Sequence, residues 1–382
     1  MTDRRPSLLI VSFSDIASDA RVKKQVQLFA EDYRVTVCGR GEPVRDDVEH
    51  VRLTAGQSRA GAIGQAICLR SRAWRAAFAF EAEKRQAMRL LRGRRFDVAI
   101  ANDAESIAVA SRFAGPEHTL ADLHEYWPGV QDQSEAWVKI RRPYYQWMMR
   151  EHAAKAGAAT TVSQAIADRY TAEFGFACGV VRNATPKHDL DPTPVHDPIR
   201  IVHSGSTQPN RKPEVMMRAV AQSSAPVVMD MFMTGQHTAY AQSLHALADE
   251  LGDRIRILPP KPYEELIPAL NQYDVGIFVL PPTTTNYSLA LPNKFFDYVQ
   301  ARLGLVISPL PDMSALVHEY DLGAVTTGFD EDSVREVLDA LTPERVRAWK
   351  ANADRAADEL YAERELPVWK TAVDGLVSRP NG

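Results

Sequence analysis

The 382-residue chain is 45% hydrophobic and 25% charged, the balance of a soluble protein with a sizeable core and room for two domains. No apolar run approaches the ~20 residues of a membrane helix, and Cys38, Cys68 and Cys178 are scattered without a C-x-x-C pair, which fits a reducing cytoplasm and argues against a cysteine-built zinc site. The net charge of −4 divides unevenly: residues 1–190 carry 28 basic and 23 acidic side chains, residues 191–382 carry 17 and 26, so the halves are expected to face different partners.

The opening MTDRRPSLLIVSF reads as a first strand rather than a signal peptide, because its apolar run is short and bounded by Ser and Asp. Further apolar, β-rich runs follow at Arg34–Gly39, Phe96–Ala101, Thr119–Leu123 and Ala159–Ser163. Between them Ala20–Glu31, a long stretch from about Arg59 to Leu91, and Glu105–Phe113 have helical periodicity. Short apolar runs alternating with helices predict βαβ units and a parallel sheet. Thr185–Pro198 holds four prolines among polar residues and reads as a linker. The alternation then restarts, with strands expected at Ile199–Gly205, Val227–Gly235, Arg254–Leu258, Asp274–Leu280, Leu303–Ser308 and Gly323–Gly328, and a mostly helical tail over Pro343–Val377.

The pattern predicts two doubly wound α/β domains: residues 1–185, a linker 186–198, residues 199–360, and a C-terminal helix 361–382 crossing back to the first domain. Ligands of such sheets sit beyond the carboxyl ends of the strands, and two such edges facing a cleft suit an enzyme that joins two substrates. The first turn, Ser12–Gln25, contains no glycine, and neither a Walker loop nor G-x-S-x-G nor H-E-x-x-H occurs, which argues against NAD enzymes, P-loop ATPases, α/β-hydrolases and zinc proteases.

Leu280–Ser308 is the richest stretch. A buried strand ends at Leu280, a polar loop follows, and a helix is expected to begin near Pro292 and Asn293, offering free N–H groups to a phosphate. Lys294 would add a positive charge, and Asp297, three residues on, shares its face and can accept two ribose hydroxyls; a solvated ion pair is the plainer alternative. Ile201–Val220 repeats the layout, with Gly205, a polar loop and the pair Arg211–Lys212.

The order of these features resembles the GT-B glycosyltransferases, closest to the retaining group called glycosyltransferase family 4. The resemblance spans nearly the whole chain and is most specific in LALPNKFFDYVQARLG (Leu289–Gly304), with support from Ser18–Gln25, Ala121–Gly129, Thr161–Tyr170, Val180–Thr185, Met233–Gln236 and Pro262–Pro282. It implies two Rossmann-like domains facing a central cleft, with the donor held by the second. The family lysine that grips the donor diphosphate falls at Lys212, and its arginine partner at Ser206, leaving Lys294 or Arg211 to supply that charge. The second of the family's paired glutamates falls at Asp297, the first at Leu289, and the histidine beside the donor sugar at His124. Ser14–Arg21 replaces the glycine-rich loop of many members.

The implied reaction moves a sugar from a nucleotide diphosphate to an acceptor hydroxyl, retaining and metal-independent, with no cofactor, in bacterial polysaccharide or glycoconjugate synthesis. Lys212, with Lys294, would stabilise the departing diphosphate. If the reaction inverted instead, His124, Glu125 or Asp103 would serve as base. No D-x-D-like metal motif stands in a suitable loop. The alternatives are a nucleotide-sugar epimerase of the same fold and a non-catalytic nucleotide-sugar-binding protein. The expected acceptor is a saccharide or lipid-linked saccharide. Leu69–Arg95 and Trp137–Arg150 combine arginine with aromatics, which reads either as ordinary domain helices or as peripheral contact with the inner face of the cell membrane. Nucleic acid is not an expected partner, since the chain is acidic and carries no such module.

Overall fold

The computed structural model describes residues 5–54 and 56–379. Residues 1–4 and 380–382, the outer ends of the first-domain and C-terminal-helix ranges expected above, lie outside the described residues. The chain forms two compact units. One comprises Met1–Val181, Thr284–Asn286 and Glu365–Gly382; the other comprises Arg182–Thr283 and Tyr287–Arg364.

Unit 1 holds β1 (Ser7–Asp15), β2 (Arg34–Arg40), β3 (Glu49–Arg52), β4 (Val98–Asn102), β5 (Thr119–Leu123), β6 (Ala158–Thr161) and β7 (Gly179–Val180). They build one parallel sheet in the order β3-β2-β1-β4-β5-β6-β7. The central strands are apolar on both faces, with Leu8, Leu9, Ile10 and Val11 fully buried, as a sheet covered by helices on both sides requires. β3 and β7 were not expected. β3 is a half-exposed EHVR edge, and β7 has two residues, so neither has a hydrophobic run to announce it.

The first helix, Ala20–Phe29, starts where Asp19 accepts the backbone N–H groups of Arg21 and Val22. The long stretch of helical periodicity from about Arg59 to Leu91 folds as three helices, Arg59–Arg70, Trp74–Ala79 and Ala82–Leu90. Its first break falls at Arg72, whose φ of 58° is left-handed and ends an α-helix. The core of the unit joins Leu8, Ile10, Val22, Phe29 and Val98 to Trp369, Val373 and Leu376 of the C-terminal helix Ala362–Val377.

Unit 2 holds β8 (Ile199–Ser206), β9 (Val227–Thr234), β10 (Ile255–Leu258), β11 (Val275–Phe278), β12 (Gly304–Ile307) and β13 (Gly323–Val325), parallel, in the order β10-β9-β8-β11-β12-β13. The proline-rich stretch lies within this unit and is bonded into it. His188 N–H donates to Gln300 Oε1 (2.9 Å), Thr193 Oγ1 to the Asn271 carbonyl (2.9 Å) and His196 N–H to Asp274 Oδ2 (3.2 Å). In each sheet the strand order reverses once, at β1/β4 and at β8/β11. Those switch points are where open α/β sheets leave a crevice for ligands.

Candidate functional site

The β8/β11 switch point of unit 2 gathers most of the expected donor-binding residues. Gly205 and Ser206 are the last residues of β8. A Cβ on Gly205 would stand 2.5 Å from His203 Nε2, so only glycine lets the chain pass this ring. His203 is itself fixed: its Nδ1 lies 3.0 Å from the Ile277 carbonyl and its ring stacks on Phe278 at 6.0 Å. Burial, reinforced by the positive charges of Lys294 and Arg211, pushes His203 down to about 3, so its imidazole is neutral.

The helix expected near Pro292 runs Asn293–Gln300, with Pro292 at its cap. Asn293 is exposed. Lys294 Nζ sits 5.6 Å from the centre of the Phe278 ring, and Arg211 stands over Tyr287 at 5.9 Å. Burial first, then the nearby Arg211 charge, drive Lys294 down to about 8, with Asp297 opposing. Arg211 Nε is buried without a hydrogen-bond partner. Neither cation makes an ion pair among the described residues. Two cations held near each other in a partly buried crevice cost free energy that an anion would return.

Asp297 is buried and accepts from Thr185 Oγ1 at 2.5 Å. Lys212 is exposed, in a left-handed conformation (φ 46°) at the start of helix Pro213–Gln222. Tyr298, on the helix Asn293–Gln300, locks the strand ends together: it accepts from Ser204 N–H and donates to the Ile277 carbonyl, 3.2 Å each.

In unit 1 the ends of β4 and β5 bring His124 and Asp103 together. His124 Nδ1 is 3.4 Å from Asp103 Oδ2, and Asp103 Oδ1 accepts from His124 N–H and Trp127 Nε1, both at 3.0 Å. Asp103 adopts a left-handed φ of 67°. Behind them stands a network that sequence reading missed as a unit. Arg21 grips Asp122 with Nε and Nη2 (2.7 and 2.6 Å), and Gln25 and Thr160 donate to the same carboxylate at 2.7 Å. Asn102 donates to Gln25 (2.9 Å), and its Oδ1 meets His124 Nε2 at 3.1 Å. The Asp122 side chain is fully buried, and Arg21 overcomes that burial to hold it far below the usual carboxylate range. Breaking such a pair costs about 3–5 kcal/mol. The signal available in sequence was an aspartate inside an apolar strand, which demands a buried cation elsewhere.

Burial alone would lower His124, but the Asp103 and Asp122 carboxylates outweigh it and raise it above its ordinary value. Asp103 is raised as well, but by its burial, which outweighs the pull of His124 and Trp127. The pair sets an imidazole against a carboxyl group at the strand ends, an arrangement that can exchange a proton with a substrate oxygen. Glu125, the third base candidate, accepts a hydrogen bond from Asn286 of the Thr284–Asn286 segment.

Unit 1 also contains a cavity of about 370 Å³ lined by Phe13, Arg40, Gln57, Glu83, Glu105 and Arg141 among others. Its charges are mixed, which suits a polyhydroxylated ligand better than a phosphate. The basic aromatic segment Trp137–Arg150 turns its rings inward. Trp137 stacks on Tyr145 (5.8 Å) and Tyr144 on Trp147 (5.7 Å), and Trp137, Tyr144 and Tyr145 are buried. Among the described residues no group of three or more His, Cys, Asp and Glu is placed to hold a metal. No helix among them is long and apolar enough to cross a membrane.

Two parallel doubly wound units with this connectivity define the GT-B fold. The chain is similar in structure to sucrose-phosphate synthase from Thermosynechococcus elongatus, with TM-score 0.71 and 14% identity, covering 98% of this chain and 100% of that one. It is similar to Anabaena HepE in complex with UDP, with TM-score 0.67 and 14% identity over 98% and 100% of the two chains. The trehalose-6-phosphate structure from E. coli bound with UDP-2-fluoro glucose gives TM-score 0.67 at 11% identity, covering 98% and 99%. No family model matches the chain, and no curated protein matches it in sequence.

Proposed function

We propose that the protein is a glycosyltransferase that takes a sugar from a uridine diphosphate donor and passes it to a saccharide hydroxyl. The observation that carries this reading is the Arg211–Lys294 pair at the β8/β11 switch point, two unpaired cations in a partly buried crevice. Structures of the same fold with UDP or a UDP-sugar bound support the choice of nucleotide. In the reaction the bond between the sugar's anomeric carbon and the diphosphate oxygen breaks, and the acceptor oxygen bonds to that carbon. Charge grows on the departing diphosphate, and Arg211, Lys294 and the helix start at Asn293 stabilise it. Lys212 is a further cation for the same group. Asp297, held by Thr185, remains the candidate for the ribose hydroxyls.

The acceptor belongs to unit 1, where the mixed-charge cavity offers hydrogen-bond donors and acceptors to hydroxyl groups. His124, whose hold on a proton is strengthened by its two carboxylates, donates to a substrate oxygen. With retention of configuration the acceptor proton passes to the departing diphosphate oxygen, so no strong carboxylate base is needed. Transfer proceeds without a metal, since protein cations carry the leaving-group charge. A role in bacterial polysaccharide or glycoconjugate synthesis follows from the resemblance described above.

Calorimetry with UDP, GDP, CDP, dTDP and ADP, with and without EDTA, tests the reading. UDP should bind best, unaffected by EDTA, and Lys294→Ala or Arg211→Ala should each weaken it at least tenfold without loss of folding. No binding of any nucleotide, or wild-type affinity in both variants, would overturn it.

A further inference from the structure

The helix Arg59–Arg70 faces the wrong way for a soluble domain. Its inward face holds Gly61 and Leu69, both buried, and a Cβ on Gly64 would meet the Phe80 ring at 2.6 Å. Its two isoleucines point out. Ile63 is 54% and Ile67 60% exposed, one turn apart on a single stripe, with Arg59 and Arg70 at its two ends. A helix packing only against its own domain would bury those isoleucines.

The surrounding charge is one-sided. Residues 59–92 contain eight basic and two acidic side chains. Both acids, Glu81 and Glu83, line the unit 1 cavity, and Lys84 is buried against Glu81 at 2.6 Å. Every fully exposed charge of the stretch is therefore an arginine, Arg59, Arg70, Arg72, Arg75, Arg85 and Arg89 among them. Of these only Arg75 makes an ion pair among the described residues, with Glu151.

We propose that this helix and the arginines following it dock unit 1 on the surface of an anionic phospholipid bilayer. The isoleucines enter the boundary between headgroups and acyl chains, and the arginines at either end of the stripe reach lipid phosphates. Charge complementarity selects the anionic surface, and the exposed isoleucine stripe selects lipid over a nucleic acid, which offers no apolar layer. The inference goes beyond the donor chemistry and does not rest on it.

The test is co-sedimentation of the full chain with vesicles of phosphatidylcholine alone and with 30 mol% phosphatidylglycerol. Binding is expected only to the mixed vesicles, and should fall steeply as salt rises. The surface double variant Ile63→Ser/Ile67→Ser should lower partitioning at least tenfold, and Arg70→Gln/Arg72→Gln about fivefold per arginine. Both variants should keep the wild-type melting temperature and nucleotide affinity, which separates this proposal from the donor reading. Absence of binding, equal binding to both vesicles, or binding untouched by the isoleucine variant would overturn it. The last result, with an RNA oligonucleotide bound equally well, would mark a general polyanion surface instead.

Discussion

Lys294 is a residue whose cost to the folded protein has a use. Its ammonium is partly buried beside Arg211, and its pKa is pushed down to about 8 from an unfolded value near 10.5. A lysine lowered in this way destabilises the fold in full below pH 8, and the penalty fades as pH climbs toward 10.5. Lys294→Met should therefore raise the melting temperature of the free protein at pH 7, with a gain that shrinks above pH 8, while nucleotide binding is lost. An unchanged or lower melting temperature would show that the lysine is not strained by its site. His124 has the opposite sign. Its pKa is raised in the fold, so it stabilises unit 1 below its unfolded value of about 6.5, and that contribution disappears as pH rises through the folded value. In His124→Gln this part of the pH dependence of melting should vanish. Under the proposed function, transfer should fall about 10²-fold, with UDP affinity unchanged.

At the scale of elements, Gly205 shows how a strand end is shaped by its neighbour. Gly205→Ala places a methyl group 2.5 Å from His203 Nε2, and the ring cannot yield without losing the Ile277 carbonyl and the Phe278 stack. The substitution should destabilise unit 2 by about 1–3 kcal/mol. Adding His203→Ala should recover part of that loss in a double-mutant melting experiment. Eleven of the strands were legible because buried parallel strands are continuous apolar runs that alternate with helices. β3 and β7 were not, being a short half-exposed edge and a two-residue pairing. The chain between Arg59 and Leu91 has uninterrupted helical periodicity, so its breaks depend on packing that periodicity does not encode. The cations of the β8/β11 crevice could be named from spacing after strands, since Arg211 and Lys294 each follow a strand end. The Arg21–Asp122–Gln25–Asn102–His124 network could not be assembled, because its members come from three separate parts of the chain that only the sheet brings together. The outward isoleucine stripe was hidden as well: composition marked the arginines, but only the burial pattern shows which face the isoleucines take.

For the molecule as a whole, the division into units does not follow the order of the sequence. Unit 1 draws its core from Leu8 and Ile10 at one end of the chain and from Trp369, Val373 and Leu376 at the other. Arg21 stacks on the Trp369 ring at 4.6 Å, Tyr33 Oη donates to Asp374 at 2.5 Å, and His118 Nδ1 lies 2.9 Å from the Leu376 carbonyl. On the ribosome the part made first is therefore the part finished last. Residues 5–181 must wait, with an unsealed apolar face, while all of Arg182–Arg364 is synthesised and free to fold. The nascent chain thus spends the interval between its first and last helices dependent on whatever shelters that face.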